Sequence, residues 1–166
     1  ANFEKLVEIQ EALRAGYAAS VVGAYGRERA KNERVLDGLI SASRAFVREG
    51  TLLKACRSST KPFRFWLFDD CLLYGTPLRL PAGAYTLSHA IDLRHCRVAP
   101  YEEHAGGGAG DGALPGPAFE LLSSEKCFIA IAPSVEARDA WVREIDETIV
   151  AYIARLHAAD GANGGG

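Results

Sequence analysis

The chain has 166 residues, a hydrophobic content of 48% and a formal net charge of −2. This composition excludes wholesale disorder, because it provides enough apolar side chains for a folded core, and the length favours one domain with additions over two full domains. The slightly negative net charge excludes a general electrostatic attraction to nucleic acid or to an anionic bilayer, so any such attraction must come from a local patch.

The residues usually needed for catalysis or metal binding do not occur in recognisable patterns. The four cysteines stand far apart, with no CxxC pair and no histidine at metal-ligand spacing, which is typical of a reduced, cytosolic chain. The sequence contains no nucleophile elbow, phosphate-binding loop or paired-glycine dinucleotide motif. We therefore predict no enzyme, no catalytic residue, no cofactor and no metal site.

Residues 1–45 are predicted to form a helical lead-in. Apolar and amphipathic side chains recur at helical spacing from the start, at Phe3, Leu6, Gln10, Leu13 and Tyr17. Asn2 is expected to cap this helix, and Gly16 and Gly23 to interrupt it. A second helix is predicted over residues 27–40, where alternating charges indicate a solvated face with no further role.

The middle of the chain changes to the period of β-strands. Short apolar runs between turn residues predict strands over 50–56, 63–68, 71–74, 85–93, 118–122 and 126–132. Asp69 and Asp70 lie between two such runs, as a tight hairpin requires. Residues 101–117 are rich in Ala, Gly and Pro and are predicted to form a flexible loop between strands.

The last part of the chain predicts one long amphipathic helix. Ser134 is a favourable N-cap, and an apolar stripe follows at Trp141, Ile145, Ile149, Tyr152 and Leu156. Residues 158–166 are predicted to be a disordered tail. The pattern indicates an α+β fold in which seven strands, six of them in the segments above, form a bent antiparallel sandwich or barrel, and a C-terminal α-helix with Trp141 covers its open end.

Three segments resemble the pleckstrin-homology (PH) family. Residues 49–54 (Glu-Gly-Thr-Leu-Leu-Lys) are similar to its first-strand signature, and residues 65–75 to its second and third strands. Residues 126–132, followed by Trp141, resemble its last strand and closing helix. The resemblance spans residues 46–153 and is strongest to FYVE-PH (phafin-like) proteins and to FYVE/DH-PH Rho exchange factors.

The lead-in resembles part of the same family. Residues 2–10 and 43–50 are similar to the last helix and the linker of a tandem DH-PH exchange factor. The resemblance implies a helical lead-in or linker over residues 1–45, with the end of a preceding DH-like helix as one interpretation, and a PH domain over residues 46–157. The helices that catalyse nucleotide exchange are not among the matched residues, so no exchange activity is expected of this chain alone.

The resemblance also implies a candidate site at the first hairpin. Lys54 matches the lysine that ends the family's first strand, and Lys61 matches the first member of a basic pair that enters the second strand. The family's arginine position holds Phe63 instead, and Arg64 comes one residue later. Because side chains alternate along a strand, this shift sends Arg64 to the opposite face unless a bulge corrects it.

Two functional hypotheses follow from these residues. The first is a peripheral, cytoplasmic module that binds a phosphoinositide headgroup at the membrane, with a three-phosphorylated inositol lipid and an endosomal membrane implied by the phafin-like resemblance. Its predicted lipid-phosphate ligands are Lys54, Arg57, Lys61, Arg64 and Arg79. The alternative is a protein-interaction PH domain of a scaffold or exchange factor, which would use the lead-in helices and an exposed face of Trp66. The other expectation for Trp66 is that it packs under the lead-in helices. Neither hypothesis includes nucleic acid as a partner.

Overall fold

The computed structural model describes residues 1–19, 27–102 and 113–164, with the side chains of residues 27–29 excepted. Its elements in chain order are α1 (Asn2–Ala19), α2 (Arg27–Asp37), β1 (Phe46–Ala55), β2 (Thr60–Phe68), β3 (Cys71–Pro77), β4 (Tyr85–Asp92), a 3-10 turn (Leu93–His95), β5 (Cys96–Tyr101), β6 (Ala118–Ser123), β7 (Phe128–Ile131) and α3 (Val135–Asn163). The strands form one open antiparallel sheet in the order β4-β3-β2-β1-β7-β6-β5. The predicted α+β class, with seven strands between an N-terminal helical extension and a C-terminal helix, is confirmed.

Strand β5 has no counterpart among the predicted segments. It begins directly after the 3-10 turn and contains Pro100. Both features obscure a strand pattern in the sequence, because a turn precedes the run and proline cannot donate a hydrogen bond to a neighbouring strand. The pairing of β5 with β6 runs without interruption from Cys96, opposite Ser123, to Tyr101, opposite Ala118.

The chain divides into two compact units. The first consists of Ala1–Gly50 and Phe63–Ile91, and the second of Thr51–Pro62 and Asp92–Gly166. In the first unit, α1 and the end of the lead-in share one hydrophobic cluster with the strands. Its fully or nearly buried members are Leu6, Ile9, Leu13, Leu36, Leu39, Trp66, Phe68, Leu73 and Leu87.

The environment of Trp66 distinguishes between two expectations for this residue. Trp66 is only 2% exposed and lies in the same cluster as the buried face of α1. Its ring also meets Tyr85 edge-on, with the ring centroids 5.1 Å apart. The expectation of an exposed Trp66 face is therefore corrected: the indole packs against the lead-in helix, because covering it removes a large apolar area from water.

The predicted interruption of the first helix at Gly16 is wrong. Helix α1 continues through Gly16 to Ala19, and Gly16 is buried. A β-carbon at this position would lie 1.8 Å from the carbonyl oxygen of Tyr85 on β4. Gly16 therefore permits a close approach of the helix to the strand backbone. Gly23 lies outside the described residues.

Asn2 has a different role from the predicted cap. It is already helical, and its side chain bonds to the segment that leads into β1. The amide nitrogen donates to the carbonyl oxygen of Arg44 at 2.9 Å, and the amide oxygen accepts from the backbone N–H of Phe46 at 2.8 Å. The side chain thus satisfies one donor and one acceptor of the linker backbone, as a paired strand would.

Helix α2 agrees with the predicted solvated helix, although it ends at Asp37 rather than at residue 40. Its described charged side chains are exposed: Lys31, Glu33, Arg34 and Asp37. The loop predicted over residues 101–117 connects β5 to β6, and its residues 103–112 lie outside the described part of the chain.

In the second unit, α3 packs on β5, β6 and the 3-10 turn. The hydroxyl of Ser134 accepts a hydrogen bond from the backbone N–H of Ala137 at 3.1 Å, so the predicted N-cap is confirmed. Trp141, Ile145 and Ile149 are buried, as the apolar stripe predicts. The helix continues to Asn163, so residues 158–163 are helical where a disordered tail is predicted.

The substitution Gly16→Ala tests the packing of α1, and Gly161→Ala on α3 is its control. In Gly16→Ala the new methyl group collides with the backbone of Tyr85, and such overpacking typically costs about 1–3 kcal/mol. Gly161→Ala places a methyl group on α3 where no atom lies within 4 Å, so the higher helix propensity of alanine should stabilise the chain by up to about 1 kcal/mol. Urea denaturation monitored by tryptophan fluorescence measures both changes. A Gly16→Ala chain as stable as the wild type would contradict the close approach of α1 to β4.

Candidate phosphate-binding hairpin

The turn between β1 and β2 presents a concentrated positive charge. The backbone N–H of Cys56 donates to the carbonyl oxygen of Ser59 at 2.8 Å, which closes a tight turn between the two strands. The segment 51–62 contains Lys54, Arg57 and Lys61 and no acidic residue. Three of the five predicted phosphate ligands therefore belong to one short hairpin end in the second unit.

Lys54 is the most constrained of these cations. It lies near the end of β1, opposite Ala130 of β7, and its side chain is half-buried. The ammonium nitrogen lies 6.0 Å from the centroid of the Phe128 ring. A cation over an aromatic face is attracted by the ring quadrupole, which limits the positions available to the ammonium group. Arg57 and Lys61, in contrast, are exposed.

Lys126 is a further cation, next to β7 in the sequence, that is not among the five predicted ligands. It is half-buried in the turn between β6 and β7, two residues before Phe128. The hydroxyl of Ser123 accepts from the backbone N–H of Lys126 at 2.8 Å and donates to its carbonyl oxygen at 2.6 Å, so this turn is well defined.

Arg64 has a different environment from these cations. The register of β2 with β3 is continuous from Arg64 to Leu67, so alternation places Arg64 on the face of Trp66. Its guanidinium Nη2 lies 3.2 Å from Oε2 of Glu49. Glu49 also forms an ion pair with Lys5 of α1. Arg64 therefore takes part in a charge cluster with the lead-in helix in the first unit.

This cluster shifts the pKa values of its members. Burial alone would raise the pKa of Glu49, but hydrogen bonds from Lys5 and Arg64 outweigh burial and lower the pKa below its usual value. Burial likewise opposes the charge of Lys5, but its hydrogen bonds to Glu49 and Glu8 raise the pKa of Lys5 above its usual value. Both shifts mean that the charged forms are stabilised in the folded chain.

Phe63, at the position of the family's arginine, belongs to an aromatic cluster. Its ring is edge-on to Tyr74, with the centroids 5.5 Å apart, and Tyr74 stacks on Phe65 at 5.1 Å. His89 of β4 contacts the same tyrosine ring at 5.3 Å. Phe63 therefore contributes packing within the sheet where the family places a charged side chain.

The remaining predicted ligand, Arg79, lies in the loop between β3 and β4. Arg79 is exposed, and the adjacent Leu80 is 79% exposed. A hydrogen bond of 2.9 Å from the N–H of Leu78 to the carbonyl oxygen of Ala84 closes the base of this loop. Leu80 therefore does not pack on the surface of the domain.

The described residues contain no helix that is both long and apolar enough to cross a membrane. Among these residues there is also no group of three or more histidine, cysteine or acidic side chains that could hold a metal ion. The four cysteines are not disulfide-bonded. Burial, with a contribution from the charge of Asp92, raises the pKa of the Cys96 thiol to about 11.

Comparison with known proteins gives consistent relatives. The chain is 28% identical over 151 residues to mouse (Mus musculus) FYVE, RhoGEF and PH domain-containing protein 6. The aligned segment covers 91% of this chain and 9% of that protein. It is 30% identical over 130 residues to mouse pleckstrin homology domain-containing family F member 1. This alignment covers 78% of this chain and 40% of that protein. No family model matches the chain.

Solved structures support the same fold. The DH/PH domains of PDZ-RhoGEF, in a complex with GTP-gamma-S activated RhoA, align with 91% of this chain and 40% of that chain at a TM-score of 0.64 and 15% identity. The strand order, the closing helix and these relatives together define the class: the chain carries a pleckstrin-homology domain. Its relatives include a FYVE, RhoGEF and PH domain-containing protein and a member of the pleckstrin homology domain-containing family F, as the resemblance implied.

The cluster at Glu49 generates a prediction with a defined pH dependence. Because the pKa of Glu49 is lowered in the folded chain, its ion pairs stabilise the fold above the unfolded pKa of about 4.3, and this stabilisation is lost as the pH falls through the folded pKa. Glu49→Gln should therefore lower the free energy of unfolding by about 1 kcal/mol at pH 7, and the difference from wild type should disappear in strong acid. Urea denaturation of wild type and variant, at pH 7 and in strong acid, measures the difference in the free energy of unfolding.

Glu8→Gln is the matched control for this test. Glu8 also contacts Lys5, at 3.0 Å, but its side chain is largely exposed, so the change should be close to zero at both pH values. Equal effects of the two substitutions would show that the cluster around Glu49 contributes no more than an ordinary surface ion pair.

Proposed function

We propose that this chain is a non-catalytic, membrane-targeting module that binds phosphoinositide headgroups through the hairpin segment 51–62. The observation that carries the proposal is the local charge: three cations and no acidic residue in this segment, within a chain whose net charge is −2. A headgroup with several phosphates needs cations that converge on it, since charge-assisted hydrogen bonds to phosphate are strong when partly shielded from water.

Lys54, Arg57 and Lys61 have complementary properties as ligands. Lys54 is held over Phe128 and therefore loses less side-chain freedom when it binds a phosphate. Arg57 is exposed at the turn and presents a planar fork of donors, which suits two phosphate oxygens. Lys61 is exposed at the start of β2 and adds a third charge.

The other two predicted ligands, Arg64 and Arg79, have different roles. The contact with Glu49 reduces the capacity of Arg64 to bind phosphate, because the carboxylate already compensates the guanidinium charge. Arg79 contributes through its loop, where the exposed Leu80 can enter the headgroup region beside an arginine that binds lipid phosphate. The resulting location is cytoplasmic and peripheral to a membrane, endosomal if the lipid is the three-phosphorylated one.

Liposome co-sedimentation across a phosphoinositide panel tests this proposal. Lys54→Ala combined with Lys61→Ala should weaken binding about 30-fold, since each lysine near an anionic surface contributes about 1 kcal/mol. Binding by the wild type should also fall as salt rises, because exposed charges are screened over about 10 Å at 0.1 M ionic strength.

Lys31→Ala combined with Arg34→Ala provides the control. It removes two exposed cations from α2 and leaves the hairpin unchanged, so vesicle binding should change by less than a few-fold. Thermal melting of each variant checks that the fold is intact. The proposal is wrong if the wild type binds none of the phosphoinositides, or if both double variants lose the same affinity.

A second candidate function is protein interaction within an exchange factor or scaffold. It is favoured by the firm attachment of the linker: Arg44 bonds both carboxylate oxygens of Asp70, at 2.9 and 2.7 Å, and also the carbonyl oxygens of Gly38 and Leu39. These hydrogen bonds fix the end of the lead-in to the first unit. A module that holds a preceding helix in one orientation requires such an attachment. The aligned PDZ-RhoGEF domains, which are bound to activated RhoA, suggest a GTPase as the partner to test.

Biolayer interferometry distinguishes this candidate from the first. Immobilised chain is exposed to RhoA loaded with GTP-gamma-S and, separately, with GDP. Saturable binding that prefers the GTP-gamma-S form and survives Lys54→Ala with Lys61→Ala would favour protein interaction. Absence of binding to both forms, with phosphoinositide binding intact, would remove RhoA as a partner.

A further inference from the structure

We propose that Ser58 is a phosphorylation site that switches off the cationic hairpin, an inference that rests on the proposed lipid function. Ser58 lies inside the turn that Cys56 and Ser59 close, directly after Arg57. Its side chain is exposed, as are those of the adjacent Ser59 and Thr60. The hydroxyl group is therefore accessible to an enzyme on a tight turn between two strands.

The charge around Ser58 indicates the class of enzyme. The charged side chains within the segment 51–62 are all cations. A kinase with an acidic peptide-binding cleft would be attracted to this segment, whereas one with a basic cleft would be repelled. The chemical class is thus a basophilic serine/threonine kinase with ATP as the phosphoryl donor.

The reaction is an ordinary phosphoryl transfer. The hydroxyl oxygen of Ser58 attacks the γ-phosphorus of ATP, a new P–O bond forms, and the bond between that phosphorus and the bridging oxygen of ADP breaks. The serine proton passes to a carboxylate base of the kinase. The products are phosphoserine and ADP, so no further reactant is needed.

The phosphate would compete with the lipid for the same cations. It adds a charge of about −1.5 to −2 and three acceptor oxygens next to Arg57, within a segment that otherwise carries three positive charges. The donors of Arg57 and Lys61 can then bind the chain's own phosphate instead of a headgroup. Because the charge removed is similar to that lost in Lys54→Ala with Lys61→Ala, the expected loss of vesicle affinity is also about 30-fold.

The first experiment tests the modification. Wild type and Ser58→Ala are incubated with ATP and the catalytic subunit of cAMP-dependent protein kinase, a basophilic kinase, and phosphate is located by mass spectrometry. Phosphate on Ser58 of the wild type, absent from Ser58→Ala, supports the site. Transfer only to other residues, or no transfer, overturns the assignment of Ser58.

The second experiment tests the switch. Phosphoserine is installed at position 58 during expression, and binding is measured to phosphatidylcholine vesicles containing phosphatidylserine and phosphatidylinositol 3-phosphate. The control is Ala151→Ser carrying the same phosphate on an exposed position of α3, which should bind like the unmodified chain. If the unmodified chain binds and phosphoserine at position 58 weakens binding no more than the control, the switch is wrong while the lipid function stands. If the unmodified chain does not bind, the lipid function itself fails, and the switch with it.

Discussion

The alternation of side chains along β2 is the constraint on which much of this domain depends. Trp66 points to the hydrophobic face that α1 covers, and Phe65, one residue away, stacks on Tyr74 instead. Since neighbouring side chains of a strand lie on opposite faces, fixing Trp66 under the helix also fixes Arg64 beside Glu49 and Phe63 beside Tyr74. The burial of Trp66 thereby determines on which face of β2 each neighbouring side chain lies, and so which of them could meet a ligand.

This constraint explains why the sequence predicts the fold better than the site. The strand runs around Trp66 and the helix of Trp141 carry local periodicity, and local periodicity is sufficient to place them. The role of Gly16 depends on the backbone of Tyr85, which is distant in sequence, so a glycine that permits close packing could not be distinguished from one that ends a helix. Asn2 presented the same difficulty, because its partners Arg44 and Phe46 belong to another element.

In the candidate site, too, some features follow from the local sequence and others depend on contacts between distant parts of the chain. The cations of segment 51–62 lie close together in the chain, so their concentration is visible in the sequence. The proximity of Lys54 to Phe128 and the compensation of Arg64 by Glu49 are tertiary contacts, and no sequence spacing encodes them. A match to the family's basic positions therefore identified candidate ligands without showing how strongly each is already engaged by the protein.

Electrostatic context then decides what each cation can contribute. A guanidinium paired with a carboxylate gains less from a phosphate than an unpaired one, because the new attraction must compensate for the weakened ion pair. Glu49 has a lowered pKa and remains ionised at neutral pH, so its hold on Lys5 and Arg64 persists there. The segment 51–62 has no such carboxylate of its own. In the proposed function a lipid headgroup would bring negative charge to this segment, and in the proposed switch a phosphate on Ser58 would compete with that headgroup for the same cations.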